Sequence, residues 1–239
     1  TGAPDWRRPM FPDLITDDAF RLETSRLWLR WPRVADAVTI AKLAGVPAVS
    51  QFTTNVPHPY HPKQAEDFIL GSRRGNLSGD QSVLAITCKG KPGEAIGMIG
   101  LHGRSNGSLA LGFWLAEPFW NQGLLAEALD ETLALGFVTT KAPRINAMLR
   151  DDNEKSRNLL ESRGFTITES LRVNMPLRGG IFPCSKYALN RDGWQARELK
   201  RFEPRQSATD AAKNQSDNPV SGKSGGVIRG AGVACLHTC

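Results

Sequence analysis

No run of apolar residues in this 239-residue chain approaches the roughly 20 that a membrane-crossing helix needs. The opening residues, Thr1 to Arg8, likewise lack the apolar centre of a secretory leader. Cysteine is scarce, and Cys88, Cys184, Cys235 and Cys239 include no CxxC pair. Cys235 and Cys239 bracket His237, but three candidate ligands fall short of the four that a structural zinc site takes. The expectation is therefore a cytoplasmic protein with reduced thiols, no metal and no membrane partner. Internal repeats are absent as well. The charge pattern also gives little support for a nucleic-acid groove. Of the formal net charge of +6, half lies in residues 191–239, where eight Lys or Arg face five Asp or Glu with no aromatic interleaving. The body of the chain is only mildly basic, which suits a small anionic partner.

What remains is a patterned core of one domain's size between two unpatterned ends. Residues 1–20 are Pro-rich and read as an arm, residues 21–195 as the domain, and residues 196–239 as a basic tail. Beyond about Gln206 the tail has too few large apolar residues to offset the entropy of ordering it. Arg26 to Trp31 alternates apolar and basic positions like a strand with one buried face. Val34 to Leu43 has helical spacing and is stopped by Gly45 and Pro47. Three prolines make 55–62 a turn, and a second helix is expected from Pro62 to Arg74, ending near Gly75. Three apolar runs follow, 82–88, 95–101 and 108–115, separated by the turn sequences 89–93 and 103–107, which predicts an antiparallel meander. Then come a helix from Gly123 to Val138, a strand from Arg144 to Leu149 and a helix from Asn153 to Ser162. A strand from Phe165 to Leu171 and a last strand from Ser185 to Asn190 complete the order. It predicts an α/β (α+β) fold, a mixed and mostly antiparallel sheet of about seven strands with helices on both faces.

Chemistry concentrates between the third meander strand and its helix, in Glu117-Pro-Phe-Trp-Asn-Gln-Gly-Leu-Leu-Ala126. A strand that enters a helix through a Gly-containing loop leaves several unpaired N–H groups facing one point. The positive end of the helix dipole makes that point an anion site. Gly123 would let a phosphate approach the backbone closely. One glycine at a helix start is, by itself, equally a plain cap.

The order of motifs resembles the GNAT acetyltransferase superfamily, and within it the RimJ/RimL-like branch that acetylates ribosomal-protein N-termini. The resemblance runs from Glu23 to Trp194. Glu23-Thr-Ser-Arg-Leu-Trp-Leu-Arg30 is similar to the branch's "E-T-x-R-L-x-L-R", Ile96 to His102 to "I-G-x-I-G-L-H", and Leu111 to Leu115 to "L-G-Y-W-L". Phe119 to Ala128 is similar to "Y-W-G-Q-G-x-A-T-E-A", and Asn153 to Phe165 to "N-x-x-S-x-x-x-L-E-x-x-G-F". The close, Tyr187 to Trp194, is similar to the branch's last strand.

This resemblance implies a GNAT fold that binds acetyl-CoA and transfers its acetyl group to an amine. Phe113, Trp114 and Leu115 would splay from the next strand and bind the pantetheine arm through their backbone. The amides of Gln122, Gly123, Leu124, Leu125 and Ala126 would hold the pyrophosphate. Asn153 and Ser156 would contact the cofactor, although Asn153 also suits a helix cap. Many relatives carry a Glu just before "L-G-Y-W-L", and here that position is Ala110. His102, with a ring suited to proton relay, is the expected catalytic residue, and Glu117 or a water chain are alternatives. His58 and His61 are further candidates for the acceptor wall. Leu125 stands where Ala or Gly is usual, and is tolerated if its side chain enters the core. The acceptor is a protein N-terminus or a small-molecule amine, and a homodimer is left open. The reading from another class is a non-catalytic acetyl-CoA-binding module, suggested by the missing carboxylate at Ala110.

Overall fold

A computed structural model describes residues 20–202; residues 1–19 and 203–239 lie outside the described part of the chain. That leaves the proposed arm, and the Cys235–His237–Cys239 cluster of the tail, beyond the described residues. Among the described residues the strands form one eight-stranded sheet in the order β1-β2-β3-β4-β5-β6-β8-β7. They are β1 (Arg21–Glu23), β2 (Leu27–Arg30), β3 (Gln81–Cys88), β4 (Ala95–Gly103), β5 (Leu109–Leu115), β6 (Arg144–Arg150), β7 (Thr166–Met175) and β8 (Gly180–Asn190). Every pairing is antiparallel except β5 with β6. The expected mixed, mostly antiparallel sheet is what the chain builds.

The strand period of two explains the layers. On β4, Met98 joins a cluster with Val83, Trp114 and the helices α1 (Ala37–Ala44) and α3 (Pro62–Ser78). Its neighbours Ile99 and Leu101 join the larger cluster on the other face, with Phe113 and Leu129. Leu129 belongs to α4 (Leu124–Thr139), and Leu160 of α5 (Glu154–Glu161) packs in the same cluster. The short α2 (Pro47–Ser50) follows α1. A buried ion pair fixes the start of α1: Arg30 meets Asp36 through two 2.8 Å bonds, with side chains only 7% and 1% exposed.

Several boundaries differ from the sequence expectation for identifiable reasons. Helix α3 passes through Gly75 and ends at Gly79, which takes the left-handed conformation at φ 72°. The Asn76 side chain holds that last turn to β3, accepting from Val83 N and donating to Val83 O at 2.9 Å each. β7 and β8 reach further than expected and meet at a short turn, Pro176–Arg178, closed by Gly179. β1 was not anticipated. Neither was α6 (Arg191–Phe202), which continues the described chain as a helix from the end of β8. Its polar surface hides one anchor: Trp194 stacks on Phe137 with centroids 5.1 Å apart, while Arg191 donates to Thr140 O (2.8 Å) and Ala142 O (3.1 Å).

Candidate functional site: a split sheet edge between an amide turn and an uncharged cleft

β5 pairs with β4 along its whole length but with β6 only at Leu109↔Ile145 and Ala110↔Asn146. Beyond Ala110 the two strands part. The Ala116 amide donates to Ile96 O, on the β4 side, at 2.9 Å. Strand alternation then turns the amides of Phe113 and Leu115 the other way, into the opening. Trp120 marks its end, since its indole N–H donates to Leu115 O at 2.7 Å. Of the predicted residues, Phe113 and Leu115 thus turn their backbone to the opening, whereas that of Trp114 is turned to β4; all three side chains are buried in the core.

The chain leaves β5 through a short turn, Glu117–Phe119, and enters α4 after two left-handed residues, Asn121 (φ 61°) and Gly123 (φ 72°). Glu127 N–H donates to Gly123 O (3.1 Å) and closes the first helical turn. The amides of Gln122, Gly123, Leu124, Leu125 and Ala126 precede it and have no acceptor within the helix, as at any helix start. Leu124 and Leu125 are only 6% and 5% exposed and pack in the main core, so neither side chain obstructs this turn. Where a Gly123 Cβ would sit, Arg26 Nη2 is the neighbour, at 3.5 Å.

A network from the far end of the sheet braces this turn. Glu127 accepts from Thr24 Oγ1, Ser25 Oγ (3.0 Å), Arg26 N (2.7 Å) and Arg26 Nε (2.7 Å). Arg26 Nη1 also donates to Gln122 O at 2.8 Å. Burial alone would raise the Glu127 carboxyl, but the hydrogen bonds from Thr24, Arg26 and Ser25 outweigh it and hold it down at about 2. Opposite stands Lys155 of α5. Its ammonium is buried without a hydrogen-bond partner and lies 5.1 Å from the Trp120 ring centroid. A helix-start turn of amides that follows Trp120, with the Lys155 cation lying against the Trp120 ring and lacking a hydrogen bond, fits an anionic group.

Asn153 and Ser156 are fully buried, and Asn153 caps α5 by accepting from Ser156 N at 3.3 Å. The capping role is thus present in the fold, at the same corner as Lys155. Gln122 directs its side chain to Pro118 O (3.0 Å), which leaves its backbone amide as the group at the turn.

On the α1/α3 side of the sheet, a cleft of about 320 Å³ reaches the split edge at Gly112, Phe113 and Trp114. Gly100 and Gly112 are directly paired across β4 and β5 and both line it, so its floor lacks side chains there. Its walls come from segment 53–57, Tyr60, Phe68 of α3 and Leu177 of the β7–β8 turn. Arg178 straps that turn over the cleft, donating to Thr53 O (3.2 Å) and to Val56 O. Arg150 adds a bond to Gln51 O at 3.0 Å. The Thr54 hydroxyl is buried without a hydrogen-bond partner. Burial pushes the Tyr60 phenol up to about 12, so it stays neutral and protonated.

His102 sits on the same face of the sheet, paired directly across the strands with Ala110. Its Nδ1 lies 2.8 Å from Gln81 Oε1, and His102 lines neither this cleft nor the polar hollow beside Ala110 and Asn146. His58 and His61 do not line the cleft either. His58 Nδ1 meets Gly45 O at 2.6 Å, and His61 precedes α3. The sequence reading missed Thr24, Arg26 and Glu127 as braces, Lys155 as a cation, and the cleft lining apart from Phe113 and Trp114. The braces lay inside the quoted opening motif and the acidic first turn of α4, so a signal for them existed. The cleft had none, because its parts are distant in sequence.

Comparison with known proteins finds relatives in sequence and in fold. A family model described as an acetyltransferase (GNAT) domain matches residues 26–166, more than half of the chain. The uncharacterized N-acetyltransferase p20 of Bacillus licheniformis is 27% identical over 170 residues, covering 70% of this chain and 94% of that protein. Among solved structures, RimL, a ribosomal L7/L12 alpha-N-protein acetyltransferase in complex with coenzyme A, aligns with a TM-score of 0.64 at 18% identity, over 73% of this chain and 99% of that one. The microcin self-immunity acetyltransferase MccE, in complex with acetyl-CoA and AMP, aligns with a TM-score of 0.61 at 18% identity, over 70% and 93% of the two chains.

Proposed function

The chain belongs to the GNAT acetyltransferase family, and from that premise we propose that it moves the acetyl group of acetyl-CoA to a primary amine admitted through the cleft at Gly100 and Gly112. One observation carries this reading: β5 and β6 part after Ala110 at a point lying between the free amide turn of α4 and that cleft.

When bound, acetyl-CoA supplies an acetyl carbon already activated as a thioester. The amides of Gln122 to Ala126, with the Lys155 ammonium, hold the pyrophosphate by charge and dipole. The backbone of Phe113 and Leu115, on either side of Trp114, would align the pantetheine arm as an added strand does. Asn153 and Ser156, buried at the start of α5, would act on the cofactor by fixing the helix turn that carries Lys155 rather than by touching it. The Leu115 amide donates to the thioester oxygen as negative charge develops on it.

His102 follows Gly100 by two residues on the same face, roughly 7 Å along the strand, a span that one or two waters bridge. It takes the proton that the attacking nitrogen sheds, in the place of the carboxylate that Ala110 lacks. The acceptor class is a primary amine, and both the N-terminus of a ribosomal-type protein and a small molecule satisfy that description. The same proposal has the enzyme acting in the cytoplasm.

Thiol release from acetyl-CoA, followed across a panel of amines, tests this. Release that requires an amine is expected, and His102→Gln should lower kcat by about 10²-fold while leaving KM for acetyl-CoA unchanged. Binding of acetyl-CoA with no thiol released by any amine contradicts transfer and leaves a cofactor-binding module.

A further inference from the structure

We infer that the acceptor is a small primary amine on an uncharged, apolar body, and that it enters the cleft in its neutral form; this rests on the transfer reaction proposed above. No residue lining the cleft carries a charge. Its polar side chains are the hydroxyls of Thr53, Thr54 and Tyr60, the amides of Asn55 and Gln64, and the Trp114 indole, all uncharged. Apolar walls such as Phe68, Val56, Met98 and Leu177 make up the rest. An ammonium brought here would lose its hydration and find no carboxylate, a cost that buried charges escape only by pairing or by losing their proton. A polyamine or an aminoglycoside would bring several such charges. An amine with one nitrogen and an apolar body brings one, and desolvation favours its unprotonated form.

Shape points the same way. The Pro176–Arg178 turn roofs the cleft with Leu177, and Arg178 ties that roof to the backbone of Thr53 and Val56. A volume of about 320 Å³ under such a roof lies at the small end of the range for small-molecule sites. The Thr54 hydroxyl is the one polar side-chain atom of this lining that is fully buried and left without a partner. Such an atom is costly unless a ligand or water satisfies it, and it is able to accept from an amine N–H. The glycine floor then lets the nitrogen come close to the open edge of β5.

The neutral amine also makes the missing carboxylate at Ala110 less costly. Its lone pair forms the N–C bond to the acetyl carbon, and the C–S bond breaks. The nitrogen sheds one proton and the departing thiolate takes up one, so the step needs no other reactant. No base is required before attack, and the His102 relay serves only the proton released afterwards.

The test compares kcat/KM at saturating acetyl-CoA for 2-phenylethylamine, hexylamine, spermidine and a tetrapeptide beginning with Ser. The first two should exceed the last two by at least about tenfold. Thr54→Val should raise KM for 2-phenylethylamine about tenfold and leave acetyl-CoA affinity unchanged. Leu177→Glu, at a half-exposed position on the roof, should reverse the order of 2-phenylethylamine and spermidine. Preference of the wild-type enzyme for spermidine or the peptide overturns this inference and leaves acetyl transfer standing. Absence of thiol release with every amine overturns the transfer reaction, and this inference with it.

Discussion

The turn Gln122 to Ala126, proposed for the cofactor phosphates, presents backbone amides from one short stretch, whereas the cleft proposed for the acceptor is lined by side chains gathered from segments as far apart as Thr54 and Leu177. Recognition by backbone tolerates sequence change. Leu125 replaces a small residue of the family pattern without touching the turn, because its side chain is packed in the core. Recognition by side chains has no such tolerance, and a single charge on the cleft wall would change what it admits. One side is therefore written in contiguous motif, the other in a composition that appears only after folding.

Substitutions that strike scaffold and site separately sharpen this contrast. The largest loss of stability is expected at the start of α1, the helix whose Ile40 lines the cleft. Asp36→Ala leaves the buried Arg30 guanidinium unpaired and should cost about 3–5 kcal/mol in denaturant unfolding. Leu125→Ala restores the residue type usual in the family but empties core volume. It should cost about 3 kcal/mol of stability with no change in acetyl-CoA affinity. A gain in affinity would show that Leu125 faces the cofactor after all.

Glu127→Gln should cost about 2 kcal/mol, since it weakens several hydrogen bonds to one carboxylate. Its signature is in acid. The Glu127 carboxyl titrates near 2 in the folded chain against an ordinary 4.5, so the unfolded chain binds the proton more readily. Its contribution is complete above 4.5 and disappears as pH falls from 4.5 towards 2. Wild-type stability should fall more steeply through that window than that of Glu127→Gln, and equal slopes would remove Glu127 from the bracing network.

Much of the scaffold was legible because its signals are local. The turn-rich segments 89–93 and 103–107 set the meander, and the glycine and apolar pattern after Trp120 set α4. The misses have equally local causes. Gly75 reads as a helix stop, but only the pairing of Asn76 with Val83 shows that the helix continues to Ser78. α6 looks like the beginning of a polar tail because one residue, Trp194, supplies its ring contact with the core. The site divides in the same way. The parting of β5 from β6 after Ala110 and the left-handed entry to α4 fall within the segments that carry the motifs. No spacing rule connects Thr54, Tyr60 and Leu177, and the orientation of His102 towards Gln81 depends on a third strand.

The central claim, that the amide turn at Gly123 binds the pyrophosphate of acetyl-CoA, is tested most directly by calorimetric titration of Gly123→Asp against Gly123→Asn. Both residues accept the left-handed backbone found there, so the pair differs in charge at nearly constant shape. The account predicts that the Asn variant binds acetyl-CoA and that the Asp variant binds at least about 10²-fold more weakly, through like-charge repulsion at the turn. Equal affinity of the two variants would contradict it.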